Sequence, residues 1–276
     1  MTPSFEIHAH SGDTAGNNLF LEVGLQGISY FITDDATQAC TALAVYHLPQ
    51  SAGPETAAAA LRSITEKQEI LQEPFKKVNI IYAYPYSVLV PYQYMQDDLN
   101  NDVLQMLYGD AQDMLLKKDY LYRHQLYNIY GVPQQVNATI EYLLTADNYV
   151  HCNTLLTDIT TNNGNTLYCI FKPSCFTAML KKNGKLQIIQ NFNFKTPEDV
   201  AYYLLQLCQA FEVPAEAVEL TLCGMIDAVS PLYKEISKYF LRLEFGQLPG
   251  NYTYPESMQQ YPAHFFSHHF AMASCV

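Results

Sequence analysis

Leu19-Phe20-Leu21-Glu22-Val23-Gly24-Leu25-Gln26-Gly27-Ile28-Ser29-Tyr30-Phe31-Ile32-Thr33 is the stretch on which the fold turns. Leu19, Leu21 and Val23 alternate with Phe20 and Glu22, residues 24–27 supply turn chemistry, and the apolar run resumes at Ile28. That is the pattern of two adjacent antiparallel strands. The unit recurs 148 positions on, where Leu167-Tyr168 and Phe176-Thr177 open two further apolar runs. Each copy leads into a third strand (residues 40–47 and 186–193), a helix, and a further apolar strand (residues 78–83 and 218–223). A repeat of this length with matched internal spacing reads as a duplicated α/β lobe.

Working outward, 276 residues suffice for two such lobes, each with its own core. Asn162-Asn163-Gly164-Asn165 is the strongest punctuation in the chain, which divides it into a tail (1–18), a first lobe (19–162) and a second lobe (163–276). No apolar run approaches the roughly 20 residues of a membrane-spanning helix. The polar first 16 residues, expected as a loose tail or an edge segment, do not read as a secretory signal, so the expected location is the cytoplasm. Seven scattered cysteines without a Cys-x-x-Cys pair read as reduced core residues. A formal charge of −12 argues against a nucleic-acid partner, which requires clustered cations. Lys181, Lys182 and Lys185 flank Asn183-Gly184 and read as a solvated hairpin tip.

In chain order, helices are expected over 55–73, 97–108, 134–144, 196–211 and 230–240, and further strands over 86–90, 122–130 and 149–160. Thr196-Pro197-Glu198-Asp199 carries a capping hydroxyl, proline at the first helical position and acids in the first turn. The run 78–83 is apolar throughout, as a strand buried on both faces requires.

Two copies of a three-strand meander, a helix and a further strand resemble the organisation of actin-like ATPases, whose domains are ribonuclease-H-like. Phe194-Lys195-Thr196-Pro197-Glu198-Asp199-Val200, Leu222-Cys223-Gly224-Met225-Ile226-Asp227 and the tail His264-Phe265-Phe266-Ser267 are similar to an uncharacterised family of Bacteroides-type bacteria assigned to this fold. The resemblance covers most of the chain from Leu19 onward and implies α/β architecture with mixed sheets flanked by helices. It also implies where a nucleotide cleft would lie: Glu22, Gly24 and Gln26 at a first phosphate loop, Lys172 and Ser174 at a second, and Gly224 at the adenosine position.

These loops depart from the superfamily pattern of Asp-x-Gly-Thr. Leu25 offers no hydroxyl, Phe171-Lys172-Pro173-Ser174 contains no carboxylate, Pro173 removes a backbone donor, and Gly224 is followed by Met225 instead of a second glycine. Ordinary turns account for the first two. The expectation is therefore a protein-interaction or scaffold module with degenerate loops, no catalytic residues and no cofactor. The competing expectation is an ATPase that takes ATP and Mg²⁺ in a noncanonical cleft.

Other constellations carry less. Gly12 to Gly16 lacks the Gly-Lys-Ser/Thr of a phosphate loop. His264, His268 and His269 have helical spacing for a metal but no adjoining carboxylate or cysteine, and with Phe265, Phe266 and Phe270 they read as an amphipathic tail that docks on the second lobe. Cys152 beside His151 is discounted because neighbours on a strand face opposite ways. The 22 tyrosines cluster at 82–94 and 120–130, where they fit sheet packing, with a minority expected to form a protein-binding surface. The partner and the oligomeric state are not legible.

Overall fold

The computed structural model describes residues 1–8, 14–95, 99–109, 113–159 and 163–276. The chain forms two compact units: 1–155 with 250–260 and 276, and 156–249 with 261–275.

In the first unit, β1 (Phe5–His8), β2 (Asn17–Gly24), β3 (Gly27–Asp34) and β4 (Cys40–His47) lead to α1 (Pro54–Lys67) and β5 (Lys77–Ala83). The chain then leaves the main sheet for β6 (Ser87–Pro91), α2 (Leu99–Tyr108), β7 (Met114–Leu121) and β8 (Leu126–Pro133). It returns through α3 (Gln134–Leu143) and β9 (Asn148–His151). The main sheet has the order β1-β4-β3-β2-β5-β9 and the inserted sheet the order β6-β8-β7. Strands β2, β3 and β4 pair antiparallel, while β2–β5 and β5–β9 are parallel. Helix α1 begins at a proline, which needs no amide partner there, and turns Ala57, Ala58, Leu61 and Ile64 into the core beside α3. Each large apolar side chain buried in this way contributes about 1.5–3 kcal/mol.

Helix α4 (Cys152–Ile159) follows β9 directly, and the division between the units falls inside it. The second unit then repeats the plan with β10 (Thr166–Phe171), β11 (Cys175–Lys182), β12 (Lys185–Asn193), α5 (Pro197–Ala210), β13 (Glu219–Gly224), α6 (Pro231–Ile236), β14 (Arg242–Phe245) and α7 (Ser267–Ala273). Its sheet order is β12-β11-β10-β13-β14. Five strands thus stand in the same order and sense as β4-β3-β2-β5-β9, which is the duplication expected from the hairpin stretches. The Thr196 hydroxyl accepts from Asp199 N–H while the Asp199 side chain accepts from Thr196 N–H, so α5 starts in a capping box.

Several elements differ from expectation. The strand expected over 149–160 stops at His151 and becomes a helix at Cys152, with Thr160 outside the described residues. The strand expected over 122–130 is a hairpin whose turn covers Tyr122 to Gln125, and β7 was hidden because Lys117-Lys118-Asp119 interrupts its apolar alternation. The first long helix ends at Lys67, where a 3₁₀ turn (Glu69–Gln72) takes over, and α6 ends at Ile236 instead of Phe240. Phe5–His8, within the segment expected as a loose tail or an edge segment, is an edge strand paired with β4. Residues 250–260 pack with the first unit, where Cys40 N–H donates to Thr253 O and Thr253 N–H to Gln38 O. The expected helix start at Asp97-Asp98, the Gly12 end of the glycine-rich segment and the boundary residue Asn162 lie outside the described residues.

Candidate functional site

In the first unit the loop expected to meet phosphate follows β2. Glu22 is buried inside β2, in register with Ser29 on one side and Ile81 on the other. Gly24 closes the strand opposite Ala83, and a Cβ there would lie 2.5 Å from the Ala83 carbonyl oxygen. The close approach of two backbones accounts for this glycine. Gln26 sits in the turn, and its carbonyl accepts from Leu48 N–H at 3.0 Å.

In the second unit, Lys172 and Ser174 lie in the β10–β11 turn. That turn is closed by Lys172 N–H donating to Cys175 O (2.8 Å) and by Phe194 N–H donating to Ser174 O (3.1 Å). Gly224 ends β13 opposite Phe171 with φ +76°, and a Cβ would meet the Phe171 oxygen at 2.3 Å. The structure therefore gathers Lys172, Ser174 and Gly224 at the carboxyl end of one parallel strand pair. It gathers Glu22, Gly24 and Gln26 at the equivalent end of the other. Ligands of open α/β sheets bind outside such strand ends.

The histidine tail belongs to the second unit, as expected, and packs on β13. His264 Nε2 hydrogen-bonds Ile226 O at 2.6 Å and its ring stacks on Phe245 with centroids 4.1 Å apart. Burial holds it below the ordinary histidine range. Lys181 differs from the solvated tip: it is buried, and its ammonium donates to Thr157 O at 2.7 Å. Lys182 donates to Phe211 O at 2.9 Å. Only Asn183 and Gly184, both at positive φ, form the tip.

His151 and Cys152 do come together, because the strand ends between them. His151 Nε2 donates to Tyr84 O (2.9 Å), which leaves Nδ1 as an acceptor for Asn153 N–H (3.1 Å). The ring thus caps the first turn of α4. Cys152 Sγ lies 3.9 Å from the same Nδ1, whose single lone pair the amide already engages, so the imidazole is poorly placed to take the thiol proton. Beside it, Asp119 of β7 accepts from His151 N–H (2.8 Å), Thr154 Oγ1 (2.6 Å) and Tyr130 OH (3.0 Å). Burial nevertheless raises its carboxyl above the usual range.

A cavity of about 480 Å³ lies at the start of α1 and α3. Neither helix has a side-chain cap, but Glu55 and Asp113 line the same space and disfavour an anion.

The tyrosines span the range of burial, with Tyr86 and Tyr127 half-buried. Tyr82, Tyr84 and Tyr130 are fully buried, whereas Tyr92, Tyr94, Tyr120 and Tyr122 are exposed. Tyr120 contacts Tyr127 (4.8 Å between centroids), Tyr122 (4.9 Å) and Tyr92 (5.9 Å), and Lys118 Nζ lies 5.7 Å over the Tyr127 ring. Of fourteen large apolar side chains exposed among the described residues, eight fall between 92 and 122, so the inserted sheet and its helix carry most of this surface. The tyrosine run signalled this surface in the sequence. Which rings face outward follows from the hairpin register, which the sequence reading had misplaced.

A profile described as "Protein of unknown function (DUF3822)" matches residues 8–243. Among solved structures, the chain is similar to a Bacteroides thetaiotaomicron protein with actin-like ATPase fold and unknown function. The identity is 17%, the TM-score 0.78, and the coverage 95% of this chain and 97% of that one. It is also similar to the PilM-PilN type IV pilus biogenesis complex (12%, TM-score 0.64, 93% and 96%). A third similar structure is the ethanolamine utilization protein EutJ from Carboxydothermus hydrogenoformans (8%, TM-score 0.52, 94% and 90%). No curated protein matches. At these identities the likeness establishes the fold, which is that of the actin-like ATPases.

Proposed function

Because the chain belongs to the DUF3822 family, whose description names no activity, we propose from its own geometry that it is a protein-interaction or scaffold module with degenerate nucleotide loops. The observation that carries the reading is the exposed tyrosine surface of the inserted sheet. Tyrosine brings a large, rigid contact area with a polar tip and is enriched at interfaces, and contiguous exposed apolar surface marks interaction sites. The loops support it from the other side. Gly24 and Gly224 answer to backbone packing, and the β10–β11 turn brings no carboxylate to orient a metal-bound water. PilM, similar in fold, is solved together with PilN, in keeping with a docking role.

The alternative is an active ATPase using Glu22, Lys172 and Gly224, and it rests on their place at the carboxyl ends of parallel strands. A thermal-shift titration with ATP and Mg²⁺, run beside phosphate release, separates the two, since a ligand selective for the folded state must raise its melting temperature. The binding-module reading expects no shift and no release at millimolar nucleotide. A saturable rise that disappears in Lys172→Ala would overturn it.

A further inference from the structure

Six residues of the first unit close a ring of hydrogen bonds that ties the inserted sheet to the first turn of α4. Asp119 of β7 accepts from Thr154 Oγ1 (2.6 Å) and from His151 N–H (2.8 Å). Thr154 Oγ1 accepts in turn from Asn128 Nδ2 of β8 (3.0 Å), and Asn128 Oδ1 accepts from Ser87 Oγ of β6 (2.7 Å). Ser87 Oγ accepts from Asn153 Nδ2 (3.0 Å), and Asn153 N–H returns to His151 Nδ1 (3.1 Å). Ser87, Asn128, His151 and Asn153 are buried, where a polar group that loses its partner finds no water in exchange. All three strands of the inserted sheet thus reach residues 151–154. The helix they meet has little hold of its own. A helix of eight residues is marginal in water. Six of these eight, Cys152, Asn153, Thr154, Thr157, Asp158 and Ile159, come from the lower tier of helix formers. The main sheet also leaves room for an alternative, because β9 pairs with β5 as far as His151 opposite Tyr82 and β5 runs one residue further, to Ala83.

We propose that the first turn of α4 is a conformational switch that the inserted sheet holds in helical form. With the ring closed, α4 starts at Cys152; with the ring broken, residues 152–155 leave the helix and extend from β9. The inference goes beyond the docking reading and does not depend on it. A ring in which each member satisfies the next opens as a unit and not by graded loosening, which gives the switch two states. Tyr120 follows Asp119 in β7, so the exposed tyrosines and the start of α4 share one strand. Helix α4 is also where the division between the units falls.

The test removes ring members that lie in the inserted sheet and reads the start of α4 in the intact protein by NMR. Asn128→Ala deletes two ring bonds from a position in β8. Amide exchange should then quicken by about tenfold at Asn153 and Leu156, with α1 and α5 unchanged. The Cα chemical shifts of residues 152–155 should move from helical toward extended values. Ser87→Ala, a smaller change that leaves Asn128 in place, should act in the same direction, and it decides the matter if Asn128→Ala does not fold. Helical shifts retained at 152–155 in the folded variants overturn the proposal. Equal quickening throughout the first unit overturns it as well, since that marks a general loss of stability and not a switch.

Discussion

A methyl group on Gly24 would stand 2.5 Å from the Ala83 oxygen, and one on Gly224 would stand 2.3 Å from the Phe171 oxygen at a positive φ. Gly24→Ala should therefore cost about 1–3 kcal/mol in urea unfolding through overpacking. Gly224→Ala should cost about 1 kcal/mol more, because the left-handed conformation is penalised as well. A glycine kept for phosphate approach alone would tolerate the methyl group, so unchanged stability would reopen the nucleotide reading. His264 supplies a pH test. Burial depresses its pKa, so the unfolded chain binds the proton more readily. Its contribution is complete above the unfolded value of about 6.5 and drains away as pH falls toward the folded value. Wild type should lose stability between neutral pH and pH of about 5 more steeply than His264→Gln, and parallel pH profiles would exclude the assignment. The sequence showed a glycine after a strand in both lobes but not its cause, because a 2.5 Å approach is set by a strand some sixty residues away.

At the scale of elements, α5 was legible in full because its signals are local: Thr196, Pro197 and Asp199 specify the start within four residues. Thr196→Ala should cost about 1 kcal/mol, read from the denaturation midpoint, since it removes one half of the capping box. A loss indistinguishable from zero would mean that tertiary packing alone sets the start of this helix. The β9–α4 junction was misread for the complementary reason. Its cap is His151, an uncommon capping residue held in place by Tyr84 O, and nothing in the run 149–160 marks the change of period. The same gap hid the proximity of Cys152 to His151, which depends on the helix beginning at that point. Strand β7 was missed because Lys117 and Asp119 sit at positions facing the protein interior, where they are satisfied by tyrosine rings and by the α4 start instead of by water.

For the whole molecule, the duplication was readable because two hairpins 148 residues apart share their spacing, and the strand orders of the two sheets bear the resemblance out. What the repeat does not encode is the insertion between β5 and β9, which has no counterpart in the second unit and carries the tyrosine surface. Function on this account resides in the part of the chain that departs from the repeat. The most direct measurement replaces Tyr122 with a photo-activatable phenylalanine in the native cells, beside the same replacement at Tyr202, an exposed tyrosine of the second unit. A discrete cross-linked protein from position 122 and none from 202 is the predicted result. Cross-linking from neither position, or equally from both, would contradict the assignment of this surface to a partner.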